Sequence, residues 1–320
     1  MVNFDDQIIL KDRSTTRSTG AGRPAKTREI HNHHMDSTVW NAFEYRDTDI
    51  VVASYAKSGT TWVQQIVGQL LFDGNPEVPV ADISPWLDLR FPSAQEKLAI
   101  LSSQRHRRFL KTHLPLDALV YSENAKYIYI ARDARDVVWS LYNHHSRANQ
   151  LWYSMLNETP GLVGPKIVPP TSGVYDYWLS WLHQDGFPFW SYWENISSWW
   201  RFRHMPNIYL IHYSDLLNDL SGMIEKIATF LEIAIRAETK ASIVKHCQFD
   251  WMRAYGANSI PLNGAFWDDG VKTFIHKGRN RQWASVLSNR DVLNYKAESS
   301  RRLGLQASKW TMLGGEDLQK

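Results

Sequence analysis

Ser54-Tyr55-Ala56-Lys57-Ser58-Gly59-Thr60-Thr61-Trp62 follows the apolar run Ile50-Val51-Val52-Ala53 and leads into Val63, Ile66, Val67, Leu70 and Leu71. Those apolar residues recur at i, i+3, i+4, i+7 and i+8, so the stretch predicts a buried strand, a tight turn and an amphipathic helix. The first N–H groups of such a helix have no backbone partner and carry the positive end of its dipole. Lys57, Gly59 and the hydroxyls of Ser58, Thr60 and Thr61 stand where they can surround an anion, and a phosphate is the natural occupant. The Walker A pattern puts its Lys directly after the second Gly. Here Lys57 precedes Gly59, and no earlier Gly lies in the loop.

Two more strand ends carry charge. Arg108-Phe109-Leu110-Lys111-Thr112-His113-Leu114-Pro115 reads as a short strand ending at Lys111. It delivers Lys111 and His113 to the sheet edge beyond which ligands of open parallel sheets bind. A His is suited to accept a hydroxyl proton near neutral pH. In the run from Lys126 to Ser140, Lys-Tyr-Ile-Tyr-Ile-Ala-Arg-Asp-Ala-Arg-Asp-Val-Val-Trp-Ser, Arg132 ends a third strand. A helix is expected from about Asp136, with Ser140 two turns beyond Arg132. Each segment alone also fits a surface turn with local charge pairing.

Taken in order, the three segments resemble the sulfotransferases, whose phosphosulfate loop usually reads Tyr-Pro-Lys-Ser-Gly-Thr-Thr-Trp; this chain has Ala56 in place of the Pro. The resemblance spans roughly residues 45–305 and implies 3′-phosphoadenosine-5′-phosphosulfate (PAPS) as donor and the desulfated nucleotide PAP as product, with no metal. It implies His113 as catalytic base, Lys57 and Lys111 as charge stabilisers, and Ser58, Gly59, Thr60 and Thr61 around the 5′-phosphate. Arg132 and Ser140 would hold the 3′-phosphate, with Trp62, Tyr213 and Phe249 near the adenine. Cys247-Gln248-Phe249 stands where the family often has Thr-Ser-Phe. At Phe274-Ile275-His276-Lys277-Gly278, His276 replaces an Arg that grips the 3′-phosphate, while Lys277 and Gly278 are kept. Either Arg279 or Arg281 compensates, or donor affinity falls by about 1–3 kcal/mol for the lost charged hydrogen bond. Residues 284–291 lack the Lys-Thr-Val-Glu pattern through which many animal members dimerise. Ser84-Pro85-Trp86-Leu87-Asp88 and the approach Arg107-Arg108-Phe109 resemble most the bacterial glycolipid-type members.

The expected fold is α/β: a P-loop-like, three-layer arrangement with a central, mainly parallel sheet flanked by helices. Asn207-Ile208-Tyr209-Leu210-Ile211-His212-Tyr213 supplies a fourth strand, followed by a helix through Leu217, Leu220, Ile224, Ile227 and Leu231. One domain is expected over residues 36–312, between a flexible tail at 1–35 and a short tail at 313–320. Residues 11–28 are basic and rich in Ser, Thr and Gly, with too little apolar surface to offset ordering entropy. His31, His33 and His34 fall in that tail and read as solvated. Residues 154–175, with four Pro and three Gly, form the longest irregular stretch, a lid or a surface excursion.

A net charge of +3 over 320 residues is too weak to indicate nucleic acid. The single cysteine, Cys247, excludes an intrachain disulfide framework. No apolar run nears the roughly 20 residues of a membrane span, and no signal-peptide core is visible near Met1. A cytoplasmic enzyme without integral membrane association is expected. Of 15 Trp, the close set Trp178, Trp181, Trp190, Trp193, Trp199 and Trp200 is assigned mainly to helix packing. An aromatic wall for a hydrophobic acceptor, a small molecule or a glycolipid hydroxyl, is the alternative. Two rival functions stay open: an ATP-dependent P-loop kinase, and a nucleotide-binding scaffold with weak catalysis.

Overall fold

In the computed structural model, which describes residues 22–186 and 189–319, four strands form one parallel sheet in the order β2-β1-β3-β4. β1 (Ile50–Ser54) runs into helix α1 (Thr60–Leu71). A single turn α2 (Val80–Ile83) and α3 (Ala94–Ser103) then lead to β2 (Phe109–Thr112), laid against one side of β1. β3 (Lys126–Ala131) lies on the other side of β1 and precedes α4 (Ala134–Ser146). α5 (Gln150–Glu158), α6 (Val174–His183) and α7 (Tyr192–Trp200) intervene before β4 (Ile208–His212) completes the sheet against β3. The chain passes from β1 to β2 on one side and then to β3 on the other, so the switch point, at which open α/β sheets leave a crevice, lies between β1 and β3.

Alternation along β1 covers the sheet on both faces. Ile50 and Val52 pack with Ile66 and Val67 of α1 and with Ile128 and Ile130. Val51 and Ala53 point the other way, among Tyr127, Tyr129, Trp178 and Trp181. Trp178, Trp181, Trp193 and Trp199 are buried in that second core, as helix packing requires. At the opposite end of the sheet, the Arg108 guanidinium donates to both carboxylate oxygens of buried Asp49, tying the starts of β1 and β2 together.

The expected helix after β4 is broken. α8 (Tyr213–Asn218) stops, and Asp219 caps a separate α9 (Leu220–Leu231). α4 begins two residues earlier than expected because Asp133 accepts from the Arg135 N–H as N-cap. α10 (Ala237–His246), α11 (Phe249–Tyr255), the single turn α12 (Val271–Phe274), α13 (Asn289–Leu303) and α14 (Leu305–Leu313) finish the chain. Of the irregular stretch at 154–175, the first residues close α5 and the last two open α6.

Both presumed tails differ from expectation where they are described; residues 1–21 and Lys320 lie outside the described set. Thr27 N–H donates to Asp117 O, Lys26 Nζ donates to Ser37 O at 3.1 Å, and Met35 is fully buried. His33 and His34 are buried rather than solvated. A segment poor in apolar residues is held here by main-chain pairing to the body, which composition does not reveal. At the other terminus Arg203 Nε donates to Gln319 O, and Glu316 pairs with Lys226 at 3.0 Å.

Candidate active site

The register brings all four strand ends to one edge: Ala53 lies beside Thr112, Ser54 beside Ile130, and Ala131 beside His212. The next residues in each segment are the loop through Lys57, His113, Arg132 and Tyr213, so four separate stretches meet there because a parallel sheet aligns its strand ends. They line one cavity of about 830 Å³.

The loop after β1 turns on two left-handed residues, Lys57 (φ 65°) and Gly59 (φ 114°). A Cβ on Gly59 would stand 2.9 Å from the side chains of both Ile130 and Tyr213, so only glycine lets the loop sit this close to β3. Ser54 Oγ and Thr60 Oγ1, 2.6 Å apart, staple the loop's two ends. The Ser58 hydroxyl is buried with no hydrogen-bond partner among the described residues. An orphaned hydroxyl beside a helix N-terminus and a lysine suits an anion.

His113 is fixed through one ring nitrogen. Its Nδ1 lies 2.8 Å from Ser54 O, and a carbonyl only accepts, so Nδ1 carries the hydrogen and Nε2 keeps the lone pair. Burial, then the charge of Lys111, pushes the His113 pKa down to about 3, leaving the ring neutral. Trp86 stands edge-on to this ring at 4.6 Å. Its indole N–H donates to Asp88 at 2.7 Å, which fixes the face it presents. Burial lowers the Lys111 pKa to about 8. Burial, together with Lys111 and Arg132, brings Lys57 to about 7. Three basic side chains share a low-dielectric cavity, so each is shifted towards its neutral form until an anion enters.

Arg132 stacks 4.0 Å from the Tyr213 ring centroid and donates to Asn280 Oδ1 and Arg279 O. Ser140 lines the same cavity from α4. Trp62 meets Tyr213 edge-on at 5.3 Å and donates from Nε1 to Cys247 O at 2.7 Å. The Cys247 position thus contributes its backbone, while its thiol is buried. Gly278, at φ +60°, lies so near Phe249 that a Cβ would come within 2.2 Å of the ring. His276 and Lys277 also line the cavity. Burial and the charges of Lys277, Arg147 and Arg253 keep His276 below its usual pKa. Arg279, exposed with its carbonyl turned to Arg132, and Arg281, also exposed, are not among the residues lining the cavity.

The sequence missed most of the other half of the cavity. His34, Trp86, Trp152, Trp190, Trp267 and Phe274 wall it with aromatic surface. Trp190 packs in the core, and its ring also lies 5.9 Å from that of His113. Asn280, which orients Arg132, and His144, 3.2 Å from Lys57 Nζ, were also unforeseen. These residues come from scattered helices and loops with no shared spacing, so no local pattern marks them. Among the described residues, no group of three or more His, Cys, Asp or Glu is placed to hold a metal ion.

A family model described as sulfotransferase domain matches residues 47–299. A glycolipid sulfotransferase of Mycobacterium bovis (strain BCG / Pasteur 1173P2) is 30% identical over 297 residues, which cover 85% of this chain and 90% of that protein. Sulfotransferase 1A1 of Rattus norvegicus is 29% identical over 248 residues, 75% of this chain and 79% of the relative. Among solved structures, retinol dehydratase in a complex with retinol and PAP superimposes with a TM-score of 0.64 at 25% identity, covering 88% of this chain and 84% of that one.

Proposed function

The chain belongs to the sulfotransferase family, enzymes that move a sulfuryl group from PAPS to a hydroxyl, and on that premise we propose how its residues divide the work. His113 Nε2 takes the acceptor's hydroxyl proton as the hydroxyl oxygen bonds to sulfur. The bond between sulfur and the bridging phosphate oxygen breaks, and PAP leaves with that electron pair. Lys57, with the loop at Ser58, Gly59, Thr60 and Thr61, neutralises the charge growing on the 5′-phosphate. Lys111 faces the sulfuryl oxygens. Most of the rate gain comes from alignment and from positive charge already in place.

Arg132 and Ser140 hold the 3′-phosphate, joined by Lys277 and Gly278 with the weaker donor His276, and Trp62, Tyr213 and Phe249 enclose the adenine. The acceptor is a lipid-like alcohol. The aromatic walls of the cavity support this, as does the likeness to a glycolipid sulfotransferase. Residues 36–312 act as one catalytic domain, onto which the described parts of both termini pack. We place the enzyme in the cytoplasm. Its one cysteine is buried and unpaired, and no helix among the described residues is long and apolar enough to cross a membrane.

The observation that carries this mechanism is the Ser54 carbonyl on His113 Nδ1, which leaves the basic nitrogen free in the cavity that also holds Lys57 and Lys111. The test is incubation with labelled PAPS and a panel of phenols, sterols, long-chain alcohols and glycolipids, following PAP release. Transfer to a lipid-like hydroxyl that disappears in His113→Ala supports the mechanism. Donor binding without turnover on any acceptor indicates the scaffold instead, and turnover confined to ATP and magnesium indicates a kinase.

A further inference from the structure

Lys57 reaches beyond the anion cradle. Its Nζ lies 3.2 Å from His144 Nδ1 and 4.2 Å from the centre of the Phe274 ring. An ammonium has only donors, so Nδ1 accepts and the His144 hydrogen sits on Nε2. His144 lies one helical turn past Ser140 on α4, and its ring is packed on three sides. Trp267 is 4.8 Å away between ring centres, Trp152 5.6 Å and Phe274 6.0 Å. Trp267 Nε1 also donates to the His144 carbonyl at 3.3 Å. The imidazole is thus anchored by the aromatic chamber while its lone pair meets the loop.

The charged and titratable groups acting on this pair are Lys111, Arg132, His113 and His145 towards Lys57, and His145, His34 and Lys111 towards His144. All are cations or imidazoles. In such surroundings a neutral acceptor is the partner that favours the charged lysine, and the His144 lone pair is one. We propose that His144 is a positioning residue for Lys57, holding one N–H of its ammonium where the cradle meets the aromatic chamber, so that the other two are directed to the donor's phosphate. The phosphate role rests on the sulfuryl-transfer mechanism above; the His144–Lys57 coupling does not.

The test is PAP binding by calorimetry between pH 6 and 9 on the full chain with His144→Phe, which keeps an aromatic ring but no acceptor, and His144→Asn, which keeps an acceptor. Loss of the hydrogen bond lowers the Lys57 pKa in the free protein by about one unit, since one such bond to a charged group corresponds to roughly that shift. His144→Phe then binds PAP within twofold of the parent at pH 6 and about tenfold more weakly at pH 8. His144→Asn stays within twofold throughout. In a Lys57→Met background, His144→Phe has no further pH effect. Equal weakening at all pH values would mean mere packing, and tighter binding at pH 6 would mean that His144 competes with the donor; either overturns the proposal. Binding needs no turnover, so a protein that shows the shift but sulfates no acceptor refutes the transfer mechanism and leaves the coupling standing.

Discussion

Donor binding should take up protons, and the amount follows from the lysines of the free site. With Lys57 at about 7 and Lys111 at about 8, both are charged at pH 6 and largely neutral at pH 9. An anionic nucleotide favours the ammonium forms and restores both towards their ordinary value. Groups whose pKa rises on binding give affinity that is complete below the free-state pKa and lost as pH rises above it. Between pH 6.5 and 9, Lys57 contributes a loss of about 80-fold and Lys111 about tenfold, together about 4 kcal/mol. The lower limit keeps clear of phosphate protonation near pH 6. Calorimetry of PAP binding at pH 8, in buffers of unlike ionisation enthalpy, should report about 1.4 protons taken up, and about 0.5 in Lys57→Met. A PAP affinity constant within threefold across this window, or proton release, would refute the account of three basic groups sharing a desolvated cavity.

Further expectations concern catalysis, the adenine side and the sheet. His113→Ala should lower kcat by about 10²–10⁴-fold, the usual share of a positioned base, while PAP affinity stays within a few-fold. Gly278→Ala forces a side chain onto a left-handed backbone and into the Phe249 ring, so PAP affinity should fall at least tenfold, read by calorimetry. Ala56→Pro, tested the same way, should leave it within threefold if Pro there only stiffens the loop. Asp49→Ala strands the buried Arg108 guanidinium and should cost about 3–5 kcal/mol in denaturant unfolding; a loss under 1 kcal/mol would show that the pair is dispensable.

The donor half of the cavity was legible because its residues follow strands directly. Lys57, His113, Arg132 and Tyr213 each stand just past an apolar run, and a parallel sheet aligns such positions whatever lies between them. The acceptor half was not legible. His34 sits in a segment whose composition suggested a solvated tail, and main-chain contacts with distant residues bury it. Trp152, Trp190 and Trp267 come from three unconnected stretches, so only folding reveals that they share a wall with His113. At His276 the substitution was visible, but its charged surroundings were not. Beside the adjacent Lys277, the distant Arg147 and Arg253 act on that imidazole, and the fold alone brings those two there.

The hydrogen bond from His113 to the Ser54 carbonyl joins the ends of two adjacent strands, so the base inherits the stiffness of the sheet rather than the mobility of a loop. The chamber facing it draws Trp152, Trp190 and Trp267 from outside the sheet. Changes at those three positions should therefore alter acceptor choice while the base stays where the sheet holds it.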